Sequence, residues 1–129
     1  MSVGILIVTH GKTGESLIQE AGFVLGKAMD DILFVEFNST EDAGGNISEI
    51  HSSITKADSG NGVIVLTDLM GASPSNLIAG VLEEYHAVMV TGINLGMLIR
   101  VCNYRDETLE LVVRKAVEGG RRAVKIFQK

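Results

Sequence analysis

Five short runs rich in Val, Ile and Phe punctuate the chain: VGILIVT, ILFVEF, GVIVLT, HAVMVTG and, more weakly, AVKIF. Each has strand length, and as near-continuous apolar runs they read as strands covered on both faces. Between them the period changes. Leu17, Ile18, Ala21, Val24 and Leu25 share one helical stripe, and Ile47, Ile50 and Ile54 share another. Strands alternating with helices require crossover connections, so the pattern predicts an α/β fold built on an open, mostly parallel sheet with helices on both faces.

The helix boundaries carry their own signals. SPSN announces the third helix, with Ser73 placed to cap free amides and Pro74 at the first helical position, where its missing N–H costs nothing. INLGMLIRVCNYR and DETLELVVRKAVEGG read as a short helix and a longer one, the second ended by Gly119 and Gly120. No linker, repeat or low-complexity stretch interrupts the pattern, and 129 residues suit one hydrophobic core, so residues 1–129 are expected to form a single domain.

Composition narrows the class. With 46% hydrophobic and 21% charged residues the chain is that of a folded globular protein. No apolar run approaches the roughly 20 residues of a membrane-spanning helix, and the first run lacks a basic flank, so the expected location is the cytoplasm. A formal net charge of -5 offers no basic excess to displace phosphate counterions, which argues against nucleic acid as a partner. Arg121, Arg122, Lys125 and Lys129 are a local exception and read as a solvated face or a partner contact. The single cysteine, Cys102, is expected in the core.

Gly11, Gly71 and Gly92 directly follow predicted strands, where the chain turns tightly or a ligand approaches the backbone. In an open parallel sheet ligands bind at the carboxyl ends of strands, at the point where strand order reverses. For the order 2-1-3-4-5, strands one and three flank that point, which brings His10 and Asp68 to one edge. A carboxylate on one imidazole nitrogen fixes the tautomer and presents the other nitrogen as base or nucleophile. Beside them Gly71, Ala72 and Ser73 lead into a helix whose first amides suit a dianionic phosphoryl group. Together these residues suggest a histidine that accepts a phosphoryl group and hands it on. The plainer alternatives are a histidine satisfied at the sheet rim and an aspartate serving a turn. His51 and His86 read as structural or surface residues.

Other chemistries fit less well. HGKTGES resembles a nucleotide-binding P-loop, but Leu6 stands where that motif needs its first glycine. Gly44 and Gly45 do not form a dinucleotide fingerprint. A metal site on His10 and Asp68 lacks an evident third ligand. Aromatic residues are only 5% with no Trp, which weakens a flavin or base-stacking site, so neither cofactor nor metal is expected.

GILIVTHG, LTDLMGASPSN and TGINLGML, in that order and spacing, resemble the mannose-type enzyme IIA domain of the bacterial phosphoenolpyruvate-dependent sugar phosphotransferase system. The resemblance runs along essentially the whole chain. It implies that His10 is phosphorylated by the histidine-containing phosphocarrier protein and discharged to enzyme IIB, with Asp68 holding the imidazole and Ser73 and neighbouring amides binding phosphoryl oxygens. It further implies a homodimer in which the last strand, AVKIF, is antiparallel and exchanged between subunits, and contact with membrane permease subunits only through partners. Ala72 stands where many members have glycine, and Gly96 where many have proline, which bears on loop shape and on the choice of IIB partner or sugar. Two rival roles remain open: a regulatory module read by phosphorylation state, and the related phosphocarrier domain serving dihydroxyacetone kinase.

Overall fold

The computed structural model describes residues 1–37, 43–68 and 72–128, with the backbone alone for 43–45 and 72–75. Strands β1 (Gly4–His10), β2 (Leu33–Phe37), β3 (Val63–Thr67) and β4 (Ala87–Thr91) alternate with helices α1 (Thr13–Leu25), α2 (Ala43–Ala57) and α3 (Ala72–Leu82). Helices α4 (Leu95–Tyr104) and α5 (Leu109–Arg122) follow. The strands form one parallel sheet in the order β2-β1-β3-β4.

That order explains why the apolar runs differ. β1 and β3 lie inside the sheet and are buried along almost their whole length, whereas β2 and β4 are edges with exposed positions. Alternate residues of the inner strands feed two core layers. Ile5, Ile7, Ile64 and Leu66 pack with Ala21, Leu98, Val101, Val112 and Ala116 from α1, α4 and α5. Leu6, Val8, Val63 and Val65 pack on the other face with Ile50 and Ile54 of α2 and Ile78 and Val81 of α3. Cys102 is buried in the first layer, and burial pushes its thiol pKa up.

Four expectations are corrected. Among the described residues the sheet has four strands, not five: AVKIF forms no strand, and Val124, Ile126 and Phe127 are 79%, 91% and 90% exposed. A strand needs a neighbour's edge, and among the described residues that segment pairs with none. Gly119 and Gly120 do not end α5, which continues to Arg122. They allow close helix packing instead: a Cβ at Gly119 would lie 2.6 Å from Arg100 Cβ, and one at Gly120 would lie 2.6 Å from Met97 Cε. Helix α3 begins at Ala72, so Ser73 falls inside its first turn rather than before it. Val24, placed on the buried stripe of α1, is 58% exposed.

Local capping fixes the last two helices. Asn94 accepts the Met97 N–H at 2.9 Å to start α4, and Thr108 accepts the Leu111 N–H at 3.3 Å to start α5. Among the described residues no helix is long and apolar enough to cross a membrane.

Candidate functional site

The inner strands meet in register with Val8 beside Thr67, so β1 carries His10 and β3 delivers Asp68 to the same carboxyl edge. Asp68 grips the histidine twice. Its Oδ2 accepts the His10 backbone N–H at 3.1 Å, and its two oxygens lie 3.3 and 3.2 Å from Nδ1. An ionised carboxylate can only accept, so this pairing puts the proton on Nδ1 and leaves the lone pair on Nε2. The His10 side chain is 48% exposed and that of Asp68 is 23% exposed. The ring is therefore held by Asp68 through Nδ1 while about half of the side chain remains open to solvent.

Phe37 closes one side of the ring. It pairs with His10 in the β1–β2 register, and the two rings stand edge to face with centroids 6.2 Å apart. Thr9, fully buried, holds the turn that follows. Its Oγ1 accepts the Gly14 N–H at 2.8 Å and donates to the Gly11 carbonyl at 3.4 Å. Gly11 has φ +53°, the left-handed conformation that lets the chain leave β1 and enter α1 within a few residues.

Of the sequence-derived site residues, His10 and Asp68 are brought into contact. Ala72 and Ser73 form the start of α3, four and five positions beyond Asp68. Gly71, and the side chains of Ala72 and Ser73, lie outside the described residues. His51 belongs elsewhere: its Nδ1 is 2.8 Å from the Tyr85 hydroxyl and 3.5 Å from Glu84 Oε2, tying α2 to the segment after α3. His86 precedes β4, and its carbonyl accepts the Val63 N–H at 3.0 Å. Phe37 and Thr9 were not singled out from the sequence. The position of Phe37 as the last residue of a strand parallel to the one ending at His10 was the available signal.

Residues 4–117 match the family described as PTS system fructose IIA component. The chain is 32% identical over 131 residues to the PTS system mannose-specific EIIAB component of Escherichia coli (strain K12), a match covering 99% of this chain and 40% of that protein. A Shigella flexneri protein of the same description matches to the same extent. The chain thus spans about 40% of the length of the curated relatives it matches. Among solved structures, the mannose/sorbose specific IIA subunit of the phosphotransferase system from Enterococcus faecalis superposes with a TM-score of 0.86 at 21% identity, covering 100% of this chain and 97% of that one. The PTS IIA protein associated with the fucose utilization operon of Streptococcus pneumoniae superposes at 0.81 with 23% identity, covering 98% and 96%. At those identities the likeness is one of fold.

Proposed function

The chain belongs to the mannose-type enzyme IIA family of the sugar phosphotransferase system, and on that premise we propose that it is a phosphoryl carrier whose acceptor is Nε2 of His10. The observation that carries this reading is the double grip of Asp68 on His10, which spends Nδ1 and leaves Nε2 free on a half-exposed ring.

That geometry supports the following reaction. The Nε2 lone pair attacks the phosphorus of a phosphohistidine on the histidine-containing phosphocarrier protein. The new P–N bond forms as the donor's P–N bond breaks, and the donor imidazole leaves with the electron pair. Positive charge develops on the His10 ring, whose Nδ1–H faces the Asp68 carboxylate, so the attraction strengthens as the transfer proceeds. Little else is required of the protein, because phosphoryl transfer is governed by positioning and charge stabilisation. Amides at Gly71, Ala72 and Ser73 complete the reading as donors to the phosphoryl oxygens, in keeping with the charge preference of a helix start.

The onward acceptor is a cysteine or histidine of an enzyme IIB, a reading supported by the E. coli relative, described as an EIIAB component. The carrier acts in the cytoplasm, reaching membrane permease subunits only through that partner. It works as a homodimer, a reading supported by the exposed apolar tail after α5 and the bare edge of β4.

Intact-protein mass after incubation with phosphoenolpyruvate, enzyme I and the phosphocarrier protein tests the core of this reading. Wild type should gain one acid-labile phosphoryl group and His10→Ala none. Asp68→Ala should remain folded and accept the group about 10²-fold more slowly, the scale expected when a reacting group is misplaced by an ångström. No gain by folded wild type with an active donor chain would overturn the carrier role, and an unchanged rate in Asp68→Ala would remove Asp68 from it.

A further inference from the structure

We infer that Thr9 is a positioning residue for His10, acting through the βα turn; the inference rests on the carrier reading above. Thr9 lies on the α1 side of the sheet, where its strand neighbours Ile5 and Ile7 are core residues, and it is itself fully buried. A hydroxyl in such a layer is costly unless its hydrogen bonds are made, so its presence requires an account.

Its partners supply one. The first amides of a helix have no carbonyl partner of their own, and Lys12, at the N-cap of α1, provides no side-chain acceptor. Thr9 reaches across from the strand and takes the Gly14 N–H at 2.8 Å, while its own proton faces the Gly11 carbonyl at 3.4 Å. The bridge therefore spans the short turn that directly follows His10. On the other side, the His10 N–H is tied to Asp68. The histidine backbone is fixed from both directions: by Asp68 at its amide and by the Thr9 bridge just beyond.

Removing the hydroxyl leaves the Gly14 N–H buried without a partner. The first turn of α1 must then shift, or water must enter, and either change alters how the His10 ring meets Asp68. A positioning defect of about 1 Å is enough to cost on the order of 10²-fold in rate. Nothing in this account requires Thr9 to touch the phosphoryl group.

The test is a graded series at one site: Thr9→Ser keeps the acceptor, Thr9→Cys weakens it, and Thr9→Val removes it at nearly constant volume. Single-turnover phosphorylation by the phosphocarrier protein should stay within about threefold of wild type in Thr9→Ser. It should fall by about tenfold or more in Thr9→Val, with the dependence on donor concentration unchanged, and Thr9→Cys should lie between. Nitrogen-15 NMR of the His10 ring, which needs no phosphoryl donor, should show the Nδ1–H tautomer losing population in the same order. Wild-type rates and tautomer populations in Thr9→Val, or a rate loss that only tracks the unfolded fraction, would overturn the inference. If Thr9→Val does not fold, the Ser and Cys variants carry the comparison, with equal rates and tautomers counting against it. Wild type that takes no phosphoryl group would defeat the carrier reading, and the tautomer series would still decide the role of Thr9.

Discussion

At the scale of single residues, the site depends on how little room surrounds the turn after β1. Gly11 and Gly14 make the point in opposite ways. A Cβ on Gly11 would meet nothing within 4 Å, so Gly11→Ala costs only the strain of φ +53°, about 1–2 kcal/mol. A Cβ on Gly14 would lie 2.7 Å from Ile7 Cγ2 and 2.8 Å from Phe34 Cε1, atoms of packed core side chains. Gly14→Ala should therefore destabilise by about 1–3 kcal/mol through overpacking. Because the Gly14 N–H is also the Thr9 partner, phosphorylation of the folded fraction should slow as well. Urea unfolding with a parallel transfer assay checks both, and an unchanged midpoint would show that α1 can move away freely. His10 and Asp68 were legible in the sequence because each follows an apolar run expected at the switch point of the sheet, where an imidazole and a carboxylate meet at one edge. Phe37 and Thr9 were not, since a phenylalanine or threonine in a strand is ordinary until register and distance give it a partner.

Among the elements, four strands and their parallel pairing could be read from apolar runs alternating with helical stripes, and the order expected for an open sheet of this kind agrees as far as β4. The errors lie where a local signal has two meanings. Gly119 and Gly120 resemble a helix stop, yet they let α5 approach Arg100 and Met97 of α4. That helix pair is also tied by charge: Arg100 donates to Glu118, and Arg122 lies 3.4 Å from the same carboxylate. Desolvation raises the Glu118 pKa, but Lys115, Arg100 and Arg122 more than offset it, so the carboxyl is held below its ordinary value. A depressed folded pKa gives stability that is present above the unfolded value and lost as pH falls through the folded one. Wild type should therefore exceed Glu118→Gln in melting temperature near neutrality, and the gap should close on acidification below the usual carboxylate range. It should also shrink with added salt, because the group is partly exposed. A gap independent of pH would mean that the carboxylate charge contributes nothing there.

For the molecule as a whole, the unresolved demand is apolar surface at the end of the chain. Val124, Ile126 and Phe127 face solvent beyond α5, while β4 presents the outer edge of the sheet with Val88 exposed. Between edge and tail lies a cavity of about 550 Å³ lined by Met89, Val90, Met97, Val113, Val117 and Val124. α5 ends at the carboxyl end of β4, since Asn94 donates to the Gly120 carbonyl and Val124 shares the cavity with Thr91 and Gly92. A segment leaving from there would run antiparallel along a β4 edge. Bare edges invite pairing, and burying three side chains of this kind is worth about 5–9 kcal/mol per chain, a gain of the same order as the cost of ordering so short a segment. The dimer proposed above should therefore depend on this tail. The 129-residue chain should sediment as a dimer at micromolar concentration, and a chain ending at Ala123 should sediment as a folded monomer. Phe127→Ser with Ile126→Ser should weaken the dimer without unfolding the sheet, because neither side chain contributes to the core. A monomeric 129-residue chain would refute the dimer itself. A truncated chain that still dimerises would place the interface on another face and leave the exposed tail without a role.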